Sequence, residues 1–401
     1  MNDFFKRTWA QINLDAIENN FLQVKSALKK GTKIMCVLKA DAYGHGAEVL
    51  AHEYERLGAE WFAVSNLEEA IQLRDDKILK PILILGFTPP KLALELNRRN
   101  VTQTVFSKKY AEELSKEAVS RHVTINIHIK VDTGMSRLGF IFQDKDRDLN
   151  SIDEIQYISN LPNLNLEGIF THFAIADEPG FGVQQTLNQY EKFRFLIEEL
   201  EQRNVHIPIK HCSNSAAILN YENMNLDMVR AGLILYGLYP SDYKVKDLNL
   251  TPAMELKSVI SQIKEVAAGT KVSYGCTYTT EKTTKIATVP IGYADGYIGA
   301  FAGKAYMLIN GQKARIIGKI CMDQLMLDVT DIKDISENSE VVVFGRSGSE
   351  YISIDDLAKI AGTINYELLC LLSKRVPRIY VKNSDVVDQL NYICPTDGWF
   401  S

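Results

Sequence analysis

Lys39 closes the apolar run IMCVLK and is followed by ADAYGHG. A lysine at the end of a buried strand is partly desolvated. Desolvation lowers its pKa and makes the amine nucleophilic enough for Schiff-base chemistry with a carbonyl compound. Tyr43 lies one turn further on, and Gly44 and Gly46 loosen the backbone there. Other apolar runs also end in polar groups. KVDTGMSRLGF carries Lys130, Asp132 and Arg137; THFAIAD carries His172; HCSNSAA sets Asn214 and Ser215 at a helix start; VRAGLILYG carries Arg230 and Gly232. Taken singly these are bland. From position alone Lys39 reads more readily as a surface lysine, while Arg230 reads equally well as a rim salt bridge and His172 as a satisfied core histidine. Together they place a nucleophilic lysine and arginines beside a helix start and a Gly turn, where barrels hold phosphate.

Such positioning needs strands whose ends share a rim. The runs IMCVL (34–38), WFAVS (61–65), PILILG (81–86), TQTVFS (102–107), INIHIKVD (125–132), LEGIFTHF (166–173), IPIKHCS (207–213) and LDMVRAG (226–232) alternate with amphipathic stretches. Eight strand–helix units predict a parallel (β/α)8, TIM-like barrel. A doubly wound open sheet is the competitor, but no GxGxxG follows the first run. Asp15 and Glu18 form a capping pattern that opens a helix from Asp15 to Leu28. The texture changes near 243–251. MELKSVISQI, KIATVPIG, AYMLINGQKARIIG, QLMLDVTD and EVVVFG then read as short strands, with Asn310-Gly311 as a hairpin turn and one helix around 354–361. The expected division is 1–245 for the barrel and 246–401 for a mostly β domain, with the opening residues packing on the latter.

With 401 residues and a net charge of -5 spread along the chain, no basic block points to nucleic acid or an anionic membrane. No apolar stretch has the length of a signal peptide or a spanning helix. Cys36, Cys212, Cys276, Cys321, Cys370 and Cys394 form no C-x-x-C pair, so neither a disulfide framework nor a metal site is expected. A cytoplasmic location follows from that reading.

The motifs VLKADAYGHG, HIKVDTGMSRLG, THFAIAD, SNSAA, VRAGLILYG, VSYGCTY, IGYADGY, CMDQ and TINYELLC occur in one order over roughly residues 8–382. This set resembles the bacterial alanine racemases, pyridoxal-phosphate (PLP) enzymes built from a barrel and a β domain. The resemblance implies that Lys39 carries the cofactor and acts as one catalytic base, with Tyr274 as the second. It implies Tyr43, Asn214, Ser215, Gly232, Leu233 and Tyr366 around the phosphate. Arg230 would face the pyridine nitrogen, supported by His172 and His211. Arg137 would meet the substrate carboxylate, and Met322 and Asp323 would lie at the substrate end. Tyr293 matches an entry corridor, and Lys130 a lysine often carbamylated in the family. Tyr274, Tyr293, Met322 and Asp323 would come from a partner subunit, making a homodimer with shared sites. The implied reaction interconverts L- and D-alanine and supplies D-alanine for peptidoglycan. A serine, lysine or broad-specificity racemase shares these features. A decarboxylase of the same barrel type pairs the pyridine nitrogen with a carboxylate, where VRAG supplies Arg230. A PLP-binding homeostasis protein resembles only the barrel. Two features depart from the pattern. IGYADGY is followed by IGAF, with Lys304 as the nearest cation, and the tail ending in TDGWFS is long.

Overall fold

The computed structural model describes residues 6–394; the TDGWFS tail lies outside them. The chain divides into two compact units. One runs from Ala16 to Pro252, apart from Tyr43–Gly46. The other combines the segment ending at Asp15, Tyr43–Gly46 and the chain from Ala253 onward.

The first unit is a parallel barrel. Its strands are Lys33–Val37, Trp61–Val64, Ile82–Ile84, Val101–Val105, Ile125–Asp132, Leu164–Phe170, Ile209–His211 and Met228–Ala231. The first seven pair in parallel in chain order, and the eighth pairs in parallel with the first, Arg230 opposite Met35. The seventh and eighth are joined by single bonds, including Arg230 N–H to the Ser213 carbonyl at 3.0 Å. Parallel strands are covered on both faces, so they read as unbroken apolar runs. Buried polar exceptions on these strands include Thr102, Gln103, Thr104, His128, Lys130, Asp132, His211 and Arg230.

Helix starts are set by short side chains. Asn66 caps Leu67–Asp75 by accepting the Glu69 N–H, and Ser107 caps Lys108–Ser120 by accepting the Tyr110 N–H. The first helix, Leu14–Ser26, corrects the expected capping pattern. Asn13 Oδ1 accepts the Asp15 N–H at 2.9 Å, and the Asp15 carboxylate accepts the Asn383 N–H at 2.7 Å. Asp15 is thus committed to the C-terminal sheet instead of to its own helix.

The second unit is built on one large sheet. Thr8–Asn13 lies inside it, antiparallel to Met254–Val259 and parallel to Arg378–Lys382. Beyond Met254–Val259 follow Glu340–Ser347, Tyr306–Ile309, Gln312–Ile317, Leu325–Asp328, Thr284–Val289 and Gln262–Val266. Asn310 and Gly311, both at positive φ, close the Tyr306–Ile309/Gln312–Ile317 hairpin. Trp9, Val259 and Ile379 form one core cluster, and Val272, Ile286 and Ile317 another. Ile354–Ala361 is capped by Ser353. A second helix, Asn365–Cys370, was not expected; six residues are too few to show a period. Among the described residues no helix is long and apolar enough to cross a membrane, and no acid, histidine or cysteine group is placed to hold a metal.

Candidate active site

Lys39 is half-buried just past the first barrel strand. The chain then takes an uncommon path. Ala40, Asp41, Ala42 and Tyr43 have φ between 52° and 55°, and Gly44 follows at 80°. Left-handed backbone costs non-glycine residues about 1–2 kcal/mol each, so this turn stores several kcal/mol. It is held from both sides. In the barrel unit, Glu69 accepts the Ala40 N–H at 2.8 Å and Asp41 accepts the Ala47 N–H at 2.9 Å. In the second unit, Arg378, which is 1% exposed, donates to the carbonyls of Gly44, Ser373, Val376 and Leu372. Tyr380 donates to the His45 carbonyl at 2.9 Å. Tyr43 lies edge-on to Tyr366, ring centroids 6.5 Å apart, and burial pushes its phenol well above the ordinary range.

The centre of the barrel rim is Arg230, 4% exposed. Its Nη1 donates to His211 Nδ1 at 2.9 Å. Its Nη2 faces the carbonyls of Thr171 and Cys212 at 2.8 and 2.9 Å and His172 Nδ1 at 3.2 Å. No described residue takes the Nε–H. Burial pushes the guanidinium down to about 10, which leaves it charged at neutral pH. An arginine only donates, so both histidines must accept at Nδ1 and carry their proton on Nε2. Both are held well below the ordinary histidine range, by burial first and then by Arg230. Lys130, Arg137 and Lys39 add to this at His172. Gln189, 3% exposed, fixes the strand end that carries His172: it donates to the His172 carbonyl and accepts the Ala174 N–H.

Lys130 is 5% exposed and donates to the Val131 carbonyl at 2.7 Å. Burial and the neighbouring Arg230 push it down to about 7, with Asp132 opposing the shift. Asp132 itself organises the following loop, one oxygen accepting the N–H groups of Gly134, Met135 and Ser136. Arg137, on that loop, is exposed. On the other side, Asn214 Oδ1 accepts the Ala217 N–H, and Ser215 Oγ accepts the Gly232 N–H at 3.1 Å. The N–H groups of Ser215 and Ala216, in a first helical turn, and of Leu233, in another, have no partner among the described residues. With the Ser215 hydroxyl proton they leave donors for an anion.

The remaining expected residues belong to the second unit, where three loops are laced together. Ser273 Oγ donates to the Lys319 carbonyl, and the N–H groups of Tyr293 and Ala294 bond the carbonyls of Cys321 and Met322. These contacts bring Tyr274, Tyr293, Met322 and Asp323 into one cluster. Tyr274 is 72% exposed, Met322 52% and Tyr293 49%. Asp323 is held by Arg375 at 2.8 Å. Arg375 also lies 3.9 Å from buried Asp295, which pairs with Arg7 at 2.6 Å. Arg375, Arg378, Gln189 and His128 were not singled out in the sequence. Their only signal was a polar residue in an apolar setting.

A parallel barrel with a lysine after its first strand, a buried arginine on its eighth and a mostly β unit after it has the build of a barrel-type amino-acid racemase. The chain belongs to the alanine racemase family: residues 12–240 match the profile of the alanine racemase N-terminal domain and 253–380 that of the C-terminal domain. Alanine racemase 1 of Clostridium acetobutylicum is 44% identical over 96% of this chain and 98% of its own. The structure of alanine racemase from Clostridium difficile 630 superposes with a TM-score of 0.92 at 41% identity, over 98% of this chain and all of that one. A histidine racemase from Leuconostoc mesenteroides shares the fold at 29% identity and a TM-score of 0.84, over 95% and 99%. The family is PLP-dependent.

Proposed function

We propose that this chain interconverts L- and D-alanine with PLP, as a homodimer whose sites draw on both subunits. The observation that carries the reading is Arg230: a buried, charged guanidinium with an uncommitted Nε–H, on the barrel that also carries Lys39. The residues present fit the cofactor. The Arg230 edge suits an aromatic nitrogen that accepts a hydrogen bond. The Ser215 hydroxyl, with the N–H groups of Ser215, Ala216 and Leu233, suits a phosphate. When bound, PLP supplies the electron sink that acidifies the substrate α-proton. Arg230, which stays charged and can only donate, would leave an aromatic nitrogen beside it unprotonated and the sink weak, which disfavours transamination.

The chain's own groups then handle the proton. Lys39 Nζ serves one face of the α-carbon. Tyr274, supplied by a second subunit, would serve the other, with His172 behind it in the Nε2–H tautomer that Arg230 favours. Arg137 binds the substrate carboxylate. Identity of 44% to an alanine racemase against 29% to a histidine racemase favours alanine. Assaying L-alanine, L-serine, L-lysine and L-histidine side by side tests this. The largest kcat/KM is expected with alanine, and a larger one with any other amino acid contradicts the reading. Lys39→Ala should lose the borohydride-reducible link to the cofactor; a link on another lysine contradicts the assignment.

A further inference from the structure

Beyond His211 the hydrogen bonds of Arg230 continue into the barrel. His211 Nε2 lies 3.0 Å from His128 Nδ1, and His128 is wholly buried. Arg230 already occupies His211 Nδ1, so His211 carries its proton on Nε2 and donates it. His128 must therefore accept at Nδ1 and hold its own proton on Nε2. That atom is buried without a hydrogen-bond partner, yet it lies 3.8 Å from Glu167 Oε2. The Glu167 side chain is 27% exposed, and its carboxylate accepts from Thr102 at 3.1 Å. An uncompensated buried donor is costly, and a small side-chain rotation closes the remaining gap.

The backbone is shaped around this histidine. His128 is paired with Gly168, where the register of the fifth and sixth strands shifts by a residue. A Cβ on Gly168 would come within 2.5 Å of the His128 ring, and Trp61 lies against the ring at 5.3 Å between centroids. Gly168 follows Glu167 directly, so the residue that makes room for the ring also sets the carboxylate beside it.

We propose that His128 and Glu167 complete a one-way hydrogen-bond chain, Arg230 to His211 to His128 to Glu167, that holds the Arg230 guanidinium in place and makes His128 a positioning residue. The chain runs from a cation through two neutral rings to an anion, so each link polarises the next. Both rings stay neutral at neutral pH: His128 is pushed down to about 3, by burial first and then by Arg230. The catalytic part of this inference rests on the racemase reading; the proton positions do not.

The test is ring-nitrogen NMR of the 15N-histidine-labelled holoenzyme at neutral pH, whose seven histidines can be assigned by single substitution. His128 and His211 are both expected as the Nε2–H form. Glu167→Leu should admit the Nδ1–H form of His128 and lower kcat about 10-fold with KM nearly unchanged, as loss of an outer partner does. Glu167→Gln keeps an acceptor oxygen and should stay within about threefold of the parent on the same scale. Thr102→Val, a milder change, should move the ring signals the same way if the leucine variant folds poorly. A parent His128 protonated on Nδ1 overturns the proposal. So does a folded Glu167→Leu with unaltered ring signals and kcat, or Glu167→Gln behaving like Glu167→Leu. Failure of the racemase reading would appear separately, as a parent enzyme inactive on alanine with the ring tautomers intact.

Discussion

Lys130 shows how one side chain's charge is decided by its surroundings. It sits beside Arg230 and Arg137, and burial with these neighbours pushes it down to about 7. Three cations repel in a setting where screening is weak. A neutral amine can attack carbon dioxide: the nitrogen–carbon bond forms, the proton leaves to solvent, and a carbamate anion results. That anion can pair with a guanidinium, which the amine cannot. The protonated amine cannot attack, so a carbamate would form above about pH 7 and be lost as pH falls through that value. We therefore expect 13C-bicarbonate to label Lys130 at pH 8 but little at pH 6, and Lys130→Ala to lose the signal. That variant should raise KM for alanine about 10-fold through a loosened Arg137, equivalent to about 1.4 kcal/mol. A bare amine at pH 8 in bicarbonate would count against this.

At the scale of elements, the left-handed turn after Lys39 is the costliest piece of backbone, and its anchors lie on Arg378 and Tyr380. Gly44 is the position where it has no slack. An added Cβ would lie 2.4 Å from the Leu369 carbonyl oxygen, with φ at 80°. Gly44→Ala should therefore destabilise the fold by about 2–4 kcal/mol in denaturant unfolding, in the range of a strained site with a backbone clash. It should weaken cofactor retention as well, because Tyr43 immediately precedes it. Stability equal to the parent would mean the turn is not fixed as described. None of this turn was legible beforehand, since Ala-Asp-Ala-Tyr carries no left-handed signal and only the following glycines hint at it. Most of the barrel strands were legible because strands buried on both faces are largely apolar, while Val101–Val105, with Thr102, Gln103 and Thr104, was legible by its place in the alternation. Asn13 escaped notice as a cap because Asp15 and Glu18 formed a better local pattern, and only the distant Asn383 N–H reveals why Asp15 is elsewhere. The expected rim residues fell on strand ends because their motifs interrupt apolar runs. Gln189, on the long helix Phe181–Gln202, and His128 are interior polar residues whose partners are far away in sequence.

For the whole molecule, the exposure of the C-terminal loop cluster is the telling feature. Tyr274, Met322 and Tyr293 stand out from their unit, and Ile364, Tyr366 and Leu371 on the same unit are also exposed. If each site takes Lys39 from one subunit and Tyr274 from the other, Lys39→Ala and Tyr274→Phe should rescue one another on co-expression. With random pairing about half the dimers are mixed and each restores one of two sites, giving about a quarter of parental activity. No rescue despite demonstrated mixed dimers would put both bases in one chain. The same pair of groups makes a sharper demand on chemistry. Racemisation removes the α-proton from one face and returns it to the other, so neither base alone suffices. On the proposed assignment Lys39 would serve the D-isomer's proton and Tyr274 that of the L-isomer. Tyr274→Phe should keep the cofactor and still exchange the α-proton of D-alanine with deuterium oxide, while L-alanine exchange and racemisation fall together. Losing one positioned acid or base typically costs about 10²–10⁴-fold, and here the missing group is required in each direction. Following deuterium wash-in separately from each enantiomer reads this directly. Equal exchange rates for the two enantiomers in the variant would mean that a single base reaches both faces.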